Sequence, residues 1–253
     1  MSGKRRVLIT NDDGYFSDGI KVLFDELSKT DMVMLVAPDR EQSASSHSLT
    51  LNHPLRMHKL DEHQYFTDGT PTDCVMLALQ VVMGKRRPDF IVSGINHGAN
   101  MGDDITYSGT VAAAMEGAIL KIPSIAVSMV DYRPGMPMKR AARFVRRLLD
   151  AYAGFQLEPG TFLNVNLPPD NGRPYSRYQF TNQGSREYKD VVIRKNDPRG
   201  RDYYWIGGHP RWRRRKGTDF VTVKAGLVSI TPMNLEFTDS GTLDRLRRDP
   251  VKI

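Results

Sequence analysis

Short apolar runs alternate with amphipathic stretches along the first part of the chain. Arg6–Thr10 and Met32–Ala37 are rich in aliphatic and β-branched residues and predict buried strands. Between them, Ser17–Lys29 repeats apolar residues at helical spacing, at Ile20, Leu23, Phe24 and Leu27. A strand, a helix and a second strand in this order predict a βαβ unit.

The same alternation continues to about residue 130. Helices are predicted at Pro71–Met83 and Thr110–Leu120, and strands at Phe90–Ile95 and Ser124–Met129. Thr70 can cap the first of these helices, because a threonine before an N-terminal proline suits a helix start. Strands that alternate with helices predict an α/β fold, with a parallel sheet covered on both faces.

The pattern changes in the second half of the chain. Met138–Ala153 predicts an amphipathic helix, and Asn196–Lys216 predicts an extended hairpin or arm. Three strands are predicted around them, at Thr161–Leu167, Phe220–Lys224 and Leu227–Thr231. Because no repeat or low-complexity linker separates the halves, we predict one domain over residues 1–253. Its core is expected at 1–132, and its C-terminal extension at 133–253 carries the arm at about 196–218.

Composition limits the class of protein. With 253 residues, 40% of them hydrophobic, the chain can bury a large core. Val75–Met83 is among the longest apolar stretches and falls short of the roughly 20 residues that span a bilayer, so no membrane helix is expected. Because the apolar run after the basic start is too short for a signal peptide, a cytoplasmic location is expected. The single cysteine, Cys74, excludes intrachain disulfides and predicts a buried, inert thiol.

The net charge of +7 favours an anionic partner without identifying it. Much of the excess comes from Arg211–Lys216, a run that includes Trp212. An aromatic ring inside a basic cluster can stack on a base while its neighbours meet phosphates. Such a basic run more often forms a solvated loop or hairpin. Nucleic-acid binding through residues 211–216 is therefore an alternative function, and nucleic acid is not the expected partner.

Polar loops follow the predicted strands, at the edge where open parallel sheets bind ligands. Asn11, Asp12, Asp13 and Gly14 come directly after the first strand. Where a strand curls into a glycine-assisted turn, Asp12 and Asp13 can converge on one hard divalent cation. An isolated Asp-Asp-Gly is more often an ordinary polar turn, so the motif alone leaves both interpretations open.

Two further loops carry candidate site residues. The loop at 37–48 is rich in serine and contains His47, which can donate a proton or contact phosphate, although a lone histidine is more often structural. The loop at 93–110 exceeds the usual length of a structural connection, which favours a functional role. It ends at a predicted helix start, whose free N–H groups attract phosphate. A serine hydrolase that uses Ser43 or Ser108 with His47 is a further alternative, but no Gly-x-Ser-x-Gly motif is present.

Four motifs together carry a family resemblance. They are Asn-Asp-Asp-Gly at 11–14, Ala-Pro-Asp-Arg-Glu-Gln-Ser at 37–43, Gly-Thr-Pro-Thr-Asp-Cys-Val at 69–75 and the segment Ser93–Gly117. In order and spacing they closely resemble the survival protein SurE family of nucleotidases, over about Val7–Val130. The resemblance implies a Rossmann-like, mostly parallel sheet with flanking helices, and a site for Mg²⁺ or Mn²⁺. It also implies hydrolysis of nucleoside 5′- and 3′-monophosphates, with short polyphosphate as a substrate of some members.

The resemblance also assigns roles to residues. The implied metal ligands are Asp12, Asp13, Ser43 and Asn96. These four offer only oxygen donors, as Mg²⁺ and Mn²⁺ prefer. The implied phosphate-binding residues are Asn100, Ser108, Gly109 and Thr110. Asp12 is expected to remove the proton from water, and His47 to donate one to the leaving oxygen. A homodimer or homotetramer is expected, with the hairpin arm and a C-terminal helix used in oligomerisation.

Overall fold

The computed structural model describes residues 4–189, 192–207, 209–249 and 251. The strands are β1 (Arg6–Thr10), β2 (Met32–Pro38), β3 (Met57–Lys59), β4 (Gln64–Thr67), β5 (Phe90–His97), β6 (Ser124–Met129), β7 (Phe162–Leu167), β8 (Tyr178–Phe180), β9 (Arg186–Lys189), β10 (Val192–Asn196), β11 (Asp202–Ile206), β12 (His209–Trp212) and β13 (Val228–Met233). The α-helices are α1 (Asp18–Leu27), α2 (Pro71–Leu77), α3 (Gly109–Ile119), α4 (Lys139–Ala151), α5 (Asp219–Lys224) and α6 (Ser240–Arg248). A π-helix at Ala78–Met83 extends α2, and 3₁₀-helices occupy Gly102–Tyr107 and Tyr152–Phe155.

Nine strands form the main sheet, in the order β3-β4-β2-β1-β5-β6-β7-β13-β8. The central strands are parallel; Val7 of β1, for example, pairs with Val33 of β2 on one side and Phe90 of β5 on the other. Antiparallel pairs occur toward the edges, where β3 meets β4 and β13 meets β7. The predicted α/β fold with a Rossmann-like, mostly parallel sheet is confirmed.

Helices cover both faces of this sheet. Val7 and Ile9 of β1 pack on the side of α1 and α4, whereas Leu8 packs on the side of α2. This alternation follows from the two-residue period of a strand, and an apolar residue at every position suits a strand buried on both faces. Cys74 of α2 is fully buried, and this burial raises the pKa of its thiol well above the usual value. The prediction of a buried thiol is confirmed.

The predicted strand at Phe220–Lys224 is wrong, because these residues form α5. The buried Asp219 begins this helix, and its carboxylate accepts hydrogen bonds from the N–H groups of Gly102, Gly184 and Phe220. An acidic residue at a helix amino end is stabilising, and here it also ties the helix to two distant loops. These tertiary contacts outweigh the strand preference of the β-branched residues that follow.

The arm extends further toward the N-terminus than predicted. β10 and β11 pair as a hairpin, and β9 pairs with β12, so the arm strands run from Arg186 to Trp212 instead of starting at about 196. Residue 208, inside the predicted arm, lies outside the described residues. The apolar side chains of the hairpin are exposed; Trp205 is 63% exposed and Ile206 is 85% exposed. In the described part of the chain, no helix is long and apolar enough to cross a membrane.

Candidate active site

A polar cavity of about 360 Å³ opens at the carboxyl edge of β1 and β5. It is lined by Asp12, Asp13, Glu41, Ser43, Ala44, Asn96, His97, Asn100, Asp104, Tyr107 and Ser108. All four predicted metal ligands and two of the four predicted phosphate-binding residues are therefore brought together. Gly109, Thr110 and His47 are not among the lining residues, although Gly109 and Thr110 are the next two residues after the lining residue Ser108.

The turn after β1 is shaped by Asn11 and Gly14. The Asn11 amide donates hydrogen bonds to the Gly14 carbonyl at 2.9 Å and to Ser17 Oγ at 2.8 Å. Gly14 has a φ of +89°, a conformation that favours glycine. The chain therefore curls at once after the strand, and both Asp12 and Asp13 face the cavity.

Asp12 is buried and is held from α3. The Thr110 hydroxyl donates a hydrogen bond to Asp12 Oδ1. Burial raises the pKa of the Asp12 carboxyl, and the hydrogen bonds from Thr110 counter part of this rise. Gly109 makes the close approach possible, because a Cβ at this position would lie 2.9 Å from Asp12 Cβ.

Asp13 lies beside Asp12 and accepts a hydrogen bond from the backbone N–H of His97 at 3.0 Å. Burial and the neighbouring Asp12 charge raise the pKa of Asp13 to about 7. Among the residues that the structure describes, no lysine or arginine forms an ion pair with either carboxylate. A divalent cation would offset this repulsion, so the pair fits a metal site on electrostatic grounds.

The other oxygen donors are held in place by short-range bonds. Asn96 Nδ2 donates to the Gly98 carbonyl at 3.0 Å, which leaves Asn96 Oδ1 available as a ligand. Ser43 Oγ donates to Glu41 Oε1 at 2.5 Å. Within the described ranges, no three His, Cys, Asp or Glu side chains are grouped so that they could hold a metal. Ser43 and Asn96 add neutral oxygen donors to the same cavity as Asp12 and Asp13.

A register shift in β5 aims Asn96 at the cavity. The pairing between β5 and β6 is interrupted between Ser93 and Asn96. Gly94 in this irregular stretch has a φ of +134°, and a Cβ there would lie 2.3 Å from the Val127 carbonyl oxygen. Only glycine fits this close approach of two strands. The motif around Asn96 thus depends on the glycine that precedes it.

Asn100 is fixed by a buried network from β6 and β7. Its backbone N–H donates to Asn166 Oδ1 at 2.9 Å, and its side-chain nitrogen donates to Ser128 Oγ at 2.8 Å. Its carbonyl oxygen accepts from the amides of Asn164 and Asn166, each at 2.9 Å. Neither Asn164 nor Asn166 was predicted to be a site residue. The signal that could have identified them is a pair of amide side chains at alternate positions of β7, a strand that is otherwise apolar and is fully buried.

The start of α3 lies beside the carboxylates. Ser108 caps the helix by accepting a hydrogen bond from the Val111 N–H at 3.1 Å. The Thr110 side chain is fully buried and bonds to Asp12, so its hydroxyl serves the carboxylate. Ser45 was also not selected, yet its hydroxyl is buried without a hydrogen-bond partner in the described residues and faces Gly109. The phosphate-binding roles of Ser108, Gly109 and Thr110 stay predictions.

His47 belongs to the serine-rich loop but does not line the cavity. Its Nε2 is 2.8 Å from Glu116 Oε2 of α3. The loop is joined to the cavity wall, because the Ser46 N–H donates to the Tyr107 carbonyl at 3.1 Å. Glu116 thus orients the His47 ring, and the residue before His47, Ser46, contacts the cavity wall.

Fold and site together define an α/β protein with an oxygen-rich pocket suited to a divalent cation and, beside a helix amino end, to a phosphate. Comparison with known proteins identifies the family. The family described as Survival protein SurE matches residues 7–190. The chain belongs to this family.

Relatives and solved structures agree with this placement. The chain is 46% identical over 243 residues to the 5′-nucleotidase SurE of Geobacter metallireducens, covering 96% of each chain. It is 46% identical over 254 aligned positions to the 5′-nucleotidase SurE of Myxococcus xanthus, covering 97% of this chain and 94% of that protein. The crystal structure of the SurE protein from Aquifex aeolicus superposes with a TM-score of 0.85 at 40% identity. That match covers 96% of this chain and 98% of the other.

Proposed function

We propose that this protein is a metal-dependent phosphomonoesterase, a 5′-nucleotidase that converts nucleoside monophosphates to nucleoside and phosphate. The observation that carries the proposal is the buried Asp12 and the half-buried Asp13 beside it at the carboxyl edge of a parallel sheet, both facing a polar cavity. The relatives named 5′-nucleotidase SurE match nearly the whole chain and support the same activity.

The metal is proposed to be Mg²⁺ or Mn²⁺, held by Asp12, Asp13, Ser43 and Asn96. When bound, such a cation polarises a phosphoryl group and lowers the pKa of a bound water. The chain itself supplies the geometry. Thr110 holds Asp12 in place to accept a proton, and the His97 N–H holds Asp13.

The substrate phosphate is proposed to lie at the start of α3. Ser108, Gly109 and Thr110 form its first residues, and the helix dipole favours negative charge there. Asn100 extends the pocket on the side of β7. His47, oriented by Glu116, is proposed to donate a proton to the leaving oxygen. Activity on 3′-monophosphates and on short polyphosphate is a further part of the proposal.

Assembly into a homodimer or homotetramer is proposed to use the arm and α6. α6 buries none of its side chains within the described chain, and Phe237 just before it is 84% exposed. The arm adds further exposed apolar side chains, among them Trp205 and Ile206, and a contiguous surface of such residues suits pairing with another chain. The expected cytoplasmic location stays a prediction.

Nucleic-acid binding through residues 211–216 is not favoured. The named nucleotidases match this chain over 96% or more of its length, which includes most of the arm. The serine-hydrolase alternative would place catalysis on Ser43 or Ser108. Ser108 Oγ is occupied as a helix cap, and Ser43 Oγ donates to a carboxylate instead of a histidine.

Phosphate release from a panel of mononucleotides and from polyphosphate tests the proposal, with and without each metal, for wild type and Asp12→Asn. We expect metal-dependent release from 5′-monophosphates, and loss of nearly all activity in Asp12→Asn with an unchanged circular dichroism spectrum. Wild-type turnover in Asp12→Asn would overturn the assignment. Turnover that is insensitive to EDTA would overturn the metal-dependent mechanism and favour a serine nucleophile.

A further inference from the structure

His97, which lines the active-site cavity, forms a stacked pair with Tyr132. Their ring centroids lie 3.9 Å apart with an interplanar angle of 12°. His97 follows Asn96 at the end of β5, and Tyr132 lies in the loop after β6. The stack therefore joins the carboxyl ends of two neighbouring strands.

His97 contacts Asp13 at two points. Its backbone N–H donates to Asp13 Oδ2 at 3.0 Å, and its ring Nδ1 lies 3.5 Å from Asp13 Oδ1. The first contact depends on the main chain alone. The second is a longer polar contact that depends on the orientation of the ring, and it adds to the main-chain bond in limiting rotation of the carboxylate. If the His97 ring could rotate freely, only the bond from the His97 backbone N–H would hold the Asp13 carboxylate.

Tyr132 is in turn held from another element. Its hydroxyl lies 3.3 Å from Asp18 Oδ2, at the first turn of α1. The opposite end of the His97 ring has no competing bond, because Nε2 is buried without a hydrogen-bond partner in the described residues. Packing against Tyr132, rather than a second hydrogen bond, therefore sets the orientation of the His97 ring.

We propose that Tyr132 is a positioning residue for the metal site: through its stack on His97 it fixes the Asp13 carboxylate and so strengthens divalent-cation binding. The inference rests on the proposed function, because it takes Asp13 as a metal ligand. Groups that orient a ligand from behind commonly change metal affinity by about 10- to 100-fold. Because Tyr132 acts through a ring contact, we expect the lower end of this range.

Calorimetric titration of Mn²⁺ into EDTA-treated, dialysed protein measures the effect without substrate. We expect Tyr132→Ala to weaken Mn²⁺ binding about tenfold, and Tyr132→Phe, which keeps the stack, to bind within about twofold of wild type. Tyr178→Ala is the matched control, because Tyr178 is 51% exposed and contacts Phe180 edge-on, away from the cavity. We expect this control to retain wild-type affinity.

A double-mutant cycle separates positioning from general loss of stability. If Tyr132 acts through His97, Tyr132→Ala should have little further effect on Mn²⁺ affinity in a His97→Ala background. Additive losses would overturn the inference. In assays with AMP, the Mn²⁺ concentration for half-maximal rate should rise in Tyr132→Ala, while kcat at saturating Mn²⁺ changes by less than about twofold.

The two proposals fail in different ways. If wild type binds no divalent cation in the calorimeter, the metal site and the positioning role are both overturned. If wild type binds Mn²⁺ and Tyr132→Ala binds it equally well, only the positioning role is overturned. Equal weakening in Tyr132→Ala and in the Tyr178→Ala control would also overturn it.

Discussion

The hydroxyl of Thr110 donates a hydrogen bond to Asp12 Oδ1, and both residues are buried. Thr110 belongs to the first turn of α3, whereas Asp12 lies in the turn after β1. The bond thus joins the proposed phosphate-binding helix end to the proposed base. Because the two parts are held together, a shift of one is transmitted to the other.

Replacing Thr110 by valine should impair the enzyme through Asp12. Valine keeps the volume but removes the donor, so the pKa of Asp12, already raised by burial, should rise further. A proton then competes with the metal up to higher pH. We expect kcat/KM to fall by about 10- to 100-fold and the acidic limb of the pH–rate profile to move to higher pH. Thr110→Ser, which keeps the hydroxyl, is the control; an unmoved acidic limb in Thr110→Val would contradict the prediction.

Asp13 should make the metal-free protein less stable as pH rises. Its pKa of about 7 in the folded protein exceeds the ordinary value of 3.8, so the folded state binds the proton more tightly. The stability that depends on this proton is therefore lost as pH rises between those two values.

Asp13→Asn removes this dependence, because asparagine does not titrate. Between pH 5 and 8 in EDTA, wild type should lose about 2 kcal/mol more unfolding free energy than the variant, measured by urea denaturation. Adding Mn²⁺ at pH 8 should restabilise wild type and leave the variant nearly unchanged. Parallel pH dependences for the two proteins would show that Asp13 does not carry the effect.

Much of the central sheet is predictable because its strands are buried on both faces. β1 at Arg6–Thr10 and β6 at Ser124–Met129 have the predicted bounds, since continuous apolar runs of this length indicate parallel strands. β3 and β4 are absent from the predictions because they are short, lie at the sheet edge and alternate weakly. α5 was mistaken for a strand because Asp219 makes its stabilising contacts with residues distant in sequence.

Topology and family motifs predict part of the site. Asp12 follows β1 and Asn96 lies near the carboxyl end of the parallel strand β5, so both lie at the same edge of the sheet. The bond between Thr110 and Asp12 joins residues 98 positions apart and requires the packed structure. Thr110 was therefore predicted to bind phosphate alone. The stack of His97 on Tyr132 was missed for the same reason, since it is a contact between the end of β5 and the loop after β6.

Gly94 should be essential for shaping the end of β5. An alanine Cβ would lie 2.3 Å from the Val127 carbonyl oxygen, and the φ of +134° is unfavourable for alanine. Gly98 has nearly the same φ, +132°, but no atom within 4 Å of such a Cβ. We expect Gly94→Ala to destabilise the protein by at least about 2 kcal/mol more than Gly98→Ala, measured by urea denaturation. Equal destabilisation would show that backbone strain alone, rather than contact with Val127, requires glycine at this position.

His47 is expected to matter most for poor leaving groups. Glu116 engages Nε2, so Nδ1 of the protonated, imidazolium form of the ring is the nitrogen that can donate to a leaving oxygen. General acid catalysis contributes about 10²- to 10⁴-fold when the leaving group needs a proton. We therefore expect His47→Ala to lower kcat for AMP about 100-fold, and kcat for p-nitrophenyl phosphate by much less, because nitrophenolate departs without protonation. Glu116→Gln should show the same selectivity to a smaller degree. If His47→Ala lowers kcat equally for both substrates, His47 supports the loop through Glu116 and takes no part in proton transfer.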